Sequence, residues 1–391
     1  MLMYDLNIQS LAYNIFFLLM FLIWFLRNHE IIRLSHRIKE SKLWQLWTFS
    51  VIYFAIMTTL ILFFLHTDVN HAIDSAARAF LTDFINVYQE KVVVHKDLEG
   101  NTILGVYHYF PPDLFIHTIL YALFKWIDNF ITFIPLPWFT FSNILMLIFL
   151  YPLIRKIVDL ENKRLVPFYC VLTSHFLVTN STLMLVFFVI GYYFLQKAKK
   201  TTGISFYIIS ASIKYAPGIE LIVHFLEDLK ESINEFFEKK IKVKLVIKRF
   251  LPYIVGSTVL ALTMIPFGFF DVIEACIFYQ GEISRRAEVA TIQGPILVEI
   301  LLHLNMIEFY NIIFIFFTFV CIFFAMYIGK NTYERQMILG FLFMFILPFM
   351  ATELFLIWMM HWFFTLMNKN EAIDPLLVDQ TNLMKEIPNM S

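Results

Sequence analysis

Apolar runs dominate the chain, and polar residues gather in short stretches between them. Mostly apolar runs lie near 8–26, 46–65, 137–154, 165–179, 181–196, 203–213, 215–226, 251–269, 307–328, 336–350 and 352–367. A helix that crosses a bilayer needs about 20 such residues, and fewer where neighbouring helices shield its ends. The pattern predicts a single all-α, polytopic membrane domain over 1–391, a bundle of about ten or eleven helices. The runs at 203–213 and 215–226 are too short for two full crossings, so broken or tilted helices are expected there.

Short basic loops set the orientation. Arg27, Arg33, Arg37, Lys39 and Lys42 place the first connecting loop in the cytoplasm, and the loop over 66–110 then lies outside. That loop carries Asp68, Asp74, Asp83, Glu90, Asp97 and Glu99 against Arg78, Lys91 and Lys96. The later basic clusters fall inside if 111–127 does not cross. Pro111, Pro112, Asp113 and Lys125 favour a helix lying on the outer face, so 66–127 reads as a small helical outer subdomain. The segment 227–249 reads as a cytoplasmic amphipathic segment, with Leu229, Ile233, Phe236 and Phe237 at helical spacing among Glu and Lys. The polar tail 368–391 reads as cytoplasmic.

Composition strengthens this picture. The chain is 59% hydrophobic and only 16% charged, and Phe alone supplies 46 of its 391 residues; its mean hydropathy is +0.70. A soluble domain is nearer half apolar and about 25% charged. A net charge of −1 gives no reason to expect nucleic-acid binding. Cys170, Cys276 and Cys321 lie in or beside apolar segments and form neither a disulfide framework nor a metal spacing. No cleavable signal peptide is expected, because Asp5 rather than a basic stretch precedes the first apolar run.

The outer loop is the longest non-apolar stretch outside the membrane. It opens His66-Thr67-Asp68-Val69-Asn70-His71, where the second apolar run ends. A carboxylate at that boundary can take a proton from an acceptor hydroxyl as a lipid-linked sugar departs. It can equally cap the helix expected over 72–82. Asp74, within that helix, has the stronger claim to a structural role. Tyr107, His108 and Tyr109 can line a sugar or isoprenoid groove, whereas Trp126 fits an interfacial belt. His66, His71 and His108 match no standard metal spacing. No metal or other cofactor is expected, with a divalent cation left open. Lys214 precedes the helix-breaking Pro217; its ammonium either snorkels to the interface or meets an anion. Arg285 and Arg286 stand in a later outer loop, balanced by Glu282 and Glu288 or available to a phosphate. Glu353 and His361 lie within the last run, where ionisable residues are functional candidates.

These motifs resemble those of a known group. His66-Thr67-Asp68-Val69-Asn70, Ala76-Ala77-Arg78, Tyr88 and Tyr107-His108-Tyr109-Phe110-Pro111-Pro112 follow the first luminal loop of polyprenyl-phosphate-mannose-dependent mannosyltransferases. These belong to the GT-C superfamily, with GPI mannosyltransferase I and its prokaryotic relatives among them. Ser212-Ile213-Lys214-Tyr215-Ala216-Pro217 is similar to the family's Lys-x-x-Pro element, and Phe278-Tyr279-Gln280 with Ser284-Arg285-Arg286 to its later aromatic-then-Arg stretch. The likeness covers roughly 46–367. It implies a GT-C fold and transfer of a hexose, most readily mannose, with inversion, from a polyprenyl-phosphate donor to a lipid, glycan or protein acceptor on the outer face. It implies Asp68 as the catalytic residue, supported by Asn70, Asp74, Tyr107, His108 and Tyr109, with Lys214, Arg285 and Arg286 on the donor phosphate. Asn70 departs from the Asp-x-Asp of GPI mannosyltransferase I, which argues against metal binding there. A multi-pass protein of a prokaryotic cell membrane is favoured over one of the endoplasmic reticulum. The alternatives are a secondary transporter, which broken helices and buried polar residues also suit, and a non-catalytic membrane subunit of a glycosylation complex.

Overall fold

A computed structural model describes residues 68–83, 86–96, 102–105, 107, 109–130, 138–158, 163, 165–166, 179–238, 243–278, 300–301, 304–329 and 332–344, with single positions at 19, 42, 45, 48, 51 and 52. These residues are mostly helical, as the apolar pattern predicts. They fall into two compact units, one formed by 41–215 with 251–279 and the other by 1–40, 216–250 and 280–391.

In the first unit, helix α1 spans Asp68–Arg78 and runs on into a π-turn, Ala79–Asp83. Ala72, Ile73, Ala76 and Ala77 form its buried face. Those small side chains let it approach strand β1, Val92–Lys96, which pairs antiparallel with β2, Thr102–Gly105. The strand pair is an addition to the helical outer subdomain expected over 66–127. Helix α2, Pro111–Phe130, starts with two prolines, whose missing N–H groups would be unpaired in a first turn anyway. Its first turn, Pro111 to Leu114, is buried within the unit, and Ile119, Leu123, Lys125 and Trp126 farther along are exposed.

Helices α3, Trp138–Ile157, α4, Thr179–Gln196, and α5, Lys200–Ile213, pack in series. Phe188 stacks on Tyr207 with ring centroids 5.0 Å apart, and the Ser210 hydroxyl donates to the Met184 carbonyl at 2.7 Å. Two glycines permit this approach: a Cβ at Gly191 would lie 2.5 Å from the Tyr207 ring, and one at Gly203 2.6 Å from Leu195. Helix α7, Val243–Met264, brings Gly256 against Ile208 of α5. A 3₁₀ turn, Ile265–Phe267, the short helix α8, Phe269–Ile273, and a second π-turn, Glu274–Phe278, follow. Met264, Phe267, Val272, Ala275 and Cys276 complete one core with α1, Val87, Tyr88, Tyr107 and the start of α2.

In the second unit, α6, Gly218–Phe237, packs on α10, Thr332–Met344, which also meets α9, Tyr310–Ile328. Most of the run expected at 215–226 and the first half of the segment 227–249 are thus one helix, and 243–249 belong to α7. Ile219, Glu220, Val223, His224, Asp228 and Ser232 are the buried residues of α6, while Phe225, Ile233, Phe236 and Phe237 face outward. Glu227 accepts from Arg335 at 2.5 Å and from Thr332, and Arg249 pairs with Glu231 and Glu235 at 2.7 and 2.6 Å.

Among the described residues, Val243–Phe267 is the one helical stretch long and apolar enough to cross a membrane; Ser181–Gln196 and Ile312–Ile328 are apolar but shorter. The runs near 8–26 and 46–65 are described only at single helical positions, and 352–367, with Glu353 and His361, and the tail 368–391 lie outside the described residues.

The glycine seam gives a direct test. Gly191→Ala and Gly203→Ala should each cost about 1–3 kcal/mol by overpacking. Gly340→Ala, where an added Cβ meets nothing within 4 Å, should be neutral or slightly stabilising. Apparent melting temperatures of the detergent-purified variants check this order.

Candidate active site

A short chain segment between β2 and α2 builds the centre of the first unit. The Tyr107 N–H donates to the Val87 carbonyl at 2.9 Å, and the Asp113 N–H to the Phe110 carbonyl at 3.0 Å, so the segment is anchored at both ends. The Tyr107 hydroxyl donates to Asp113 Oδ2. Both side chains are fully buried. Burial, reinforced by the nearby Asp113 charge, pushes the Tyr107 phenol well above its usual range, so it remains a neutral donor. Tyr88 is raised in the same way, first by burial.

His117 sits one turn along α2. Its Nδ1 lies 2.9 Å from the Asp113 carbonyl oxygen and 3.3 Å from Asp113 Oδ1, the latter without the geometry of a hydrogen bond. Both neighbours are acceptors, so Nδ1 carries a hydrogen. Nε2 is buried, with no hydrogen-bond partner among the described residues.

Above this buried group lies an aromatic set. The Tyr88 hydroxyl donates to the Tyr109 carbonyl at 2.7 Å. The Tyr107 and Tyr109 rings meet edge to face with centroids 5.5 Å apart. Lys214 Nζ stands 5.9 Å from the centroid of the Tyr109 ring, within cation–π range. Lys214 caps the C-terminus of α5 in an extended conformation, φ −144° and ψ 137°, and α6 begins just past Pro217. The break expected around Pro217 is therefore present. Tyr215 secures it by donating to the Cys276 carbonyl at 2.5 Å. Burial raises the Cys276 thiol well above its usual range, which keeps it protonated and suits a packing role.

Asp74 faces a different set of partners. Its Oδ1 accepts from Arg78 Nε at 2.8 Å and from the Trp138 indole at 2.7 Å. The hydrogen bond to Asp74 is the main cause of the raised Arg78 pKa. Arg78 also lies over the Tyr121 ring, 5.5 Å from its centroid. Asp74 thereby ties α1 to α2 and α3, a structural commitment.

Of the residues singled out from sequence, the structure brings Tyr107, Tyr109 and Lys214 together. Asp68 and Asn70 occupy the first and third positions of α1. His108, Arg285 and Arg286 lie outside the described residues. Among the described residues, no group of three or more His, Cys, Asp and Glu gathers as a metal ion would require. Asp113 and His117 were not singled out as site residues. Their signal was an acidic residue and a histidine four apart on one helix face, directly after the aromatic element. Comparison with family models, curated proteins and solved structures gives no match for this chain.

Asp74→Ala should cost about 1–3 kcal/mol, because it removes the acceptor of a buried indole N–H. Arg78→Ala should cost only about 0–1 kcal/mol, because the pair is largely exposed. Thermal unfolding of the two variants measures the difference.

Proposed function

We propose that the protein is a multi-pass membrane glycosyltransferase of the GT-C type, which moves a hexose, most readily mannose, from a polyprenyl-phosphate donor to an acceptor on the outer face. The observation that carries this reading is the approach of Lys214 to Tyr109. Two elements far apart in sequence, both of which resemble motifs of that group, lie side by side in one unit. Outward-facing Ile148, Phe149, Ile254, Leu262, Ile312, Phe319 and Phe323 support a lipid surround for α3, α7 and α9. The favoured setting is a prokaryotic cell membrane.

In this scheme the acceptor hydroxyl attacks the anomeric carbon of the donor sugar. The bond from that carbon to the phosphate oxygen breaks, and the anomeric configuration inverts. Asp68 accepts the hydroxyl proton, and polyprenyl phosphate departs with the electron pair. Lys214, with Arg285 and Arg286, neutralises the charge that develops on the departing phosphate. Tyr109 holds the lysine and offers a ring face to sugar or isoprenoid.

A secondary transporter is the second reading. The buried stripe of Glu220, His224 and Asp228 on α6 favours it, because such residues often line a transport path.

The test is transfer from radiolabelled polyprenyl-phosphate mannose by purified protein in vesicles. Wild type and Asp74→Asn should transfer, while Asp68→Asn, still folded, should lose about 100-fold or more. Equal transfer by all three removes Asp68 from the chemistry. Sugar uptake into sealed vesicles without covalent transfer would favour the transporter, and donor binding without either would favour a non-catalytic subunit.

A further inference from the structure

Asp113 and His117 are fully buried, yet a chain of contacts links them to Lys214, the cation that meets Tyr109 among the described residues. The contacts form a continuous chain. His117 Nδ1 stands beside the Asp113 carboxylate and carbonyl at 3.3 and 2.9 Å. Asp113 accepts the Tyr107 hydroxyl. The Tyr107 ring meets the edge of Tyr109 at 5.5 Å, and Lys214 Nζ stands 5.9 Å from the centroid of Tyr109. Tyr88 pins the Tyr109 backbone at 2.7 Å, and Tyr107 packs against the edge of its ring.

The competing view is that the cluster only satisfies its own hydrogen bonds within the core. Two features speak against it. Neither Asp113 Oδ1 nor His117 Nε2 has a hydrogen-bond partner among the described residues, an expensive arrangement if packing were its sole purpose. In addition, the one bond that Asp113 does make from its side chain within this group ends on the tyrosine that touches Tyr109. A phenylalanine at 107 would fill the same space without a buried acceptor beneath it.

We propose that Asp113, oriented by His117, acts through Tyr107 as a positioning residue for Lys214, holding the ammonium where the donor phosphate binds. The contact chain to Lys214 stands on geometry; its phosphate role rests on the transferase reading. The tether is geometric, so any acceptor of suitable shape at 113 serves it. The predicted order of variants follows. Asp113→Asn keeps an acceptor for the Tyr107 hydroxyl, whereas Asp113→Leu and Tyr107→Phe break the link.

The experiment reads Lys214 directly. Full-length protein in detergent is treated with an amine-acylating reagent, and the rates at Lys214 and at exposed Lys125 are followed by mass spectrometry. Loss of the cation–π contact in Tyr109→Leu should raise the Lys214 rate about threefold relative to Lys125. Tyr107→Phe and Asp113→Leu should raise it similarly, Asp113→Asn should restore the wild-type rate, and Tyr107→Phe should add nothing to Tyr109→Leu. Tyr107→Phe is the mildest of these changes, and its elution as a monodisperse species secures the comparison if Asp113→Leu fails to fold. An unchanged Lys214 rate in folded Tyr107→Phe overturns the proposal, as does a wild-type rate in Tyr109→Leu. A second arm measures transfer: Tyr107→Phe should raise the donor KM about threefold, with kcat within about twofold of wild type. Altered acylation in a protein that transfers no sugar would leave the positioning chain standing and remove the transferase reading instead.

Discussion

A carboxylate with no exposure to solvent, Asp113, must find its partners within the protein, and among the described residues the hydroxyl of Tyr107 is the one that reaches it from outside its own helix. Burying a charge is costly unless hydrogen bonds replace water. The segment from Tyr107 to Asp113 is therefore held at both ends, and what it carries inherits that fixity. Tyr109 is gripped between Tyr88 and Tyr107, Lys214 rests over its ring, and the break after α5 is secured when Tyr215 bonds the Cys276 carbonyl.

The second unit solves a related problem in the opposite sense. Its α6 turns Glu220, His224, Asp228 and Ser232 inward and Ile233, Phe236 and Phe237 outward. Exposed apolar side chains of this kind suit a lipid or protein interface, and the α6 carboxylates Glu227, Glu231 and Glu235 are paired with Arg335 or Arg249. The same logic fits the outward Phe residues of α9.

Much of this was legible in the sequence. The apolar runs at 137–154, 251–269 and 307–328 correspond to α3, α7 and α9, because continuous hydrophobicity at that length favours a helix over a loop. Pro217 marked a helix end, since it lacks an N–H and forces a turn. The boundary near 226 misled for a physical reason: composition changes there from apolar to charged, but the backbone remains helical because the change is one of surroundings. The strand at Val92–Lys96 left a weak β-branched signal, too short to stand out in an acidic loop. Asp113 was the least legible. An acidic residue in the first turn after two prolines suits an exposed helix start, and only the packing of Tyr107 and the surrounding core turns it inward. Tyr107, Tyr109 and Lys214 could be singled out by motif, but their meeting is a product of tertiary structure.

The claim at the centre is that Lys214 and Tyr109 mark the place where a lipid-linked sugar phosphate is held. The most direct measurement is photo-crosslinking with a diazirine-bearing polyprenyl-phosphate mannose, followed by peptide mapping. Attachment to peptides containing Tyr109 and Lys214, displaced by excess unlabelled donor, is the result predicted. Displaceable attachment confined to α6, α9 and α10 would contradict it.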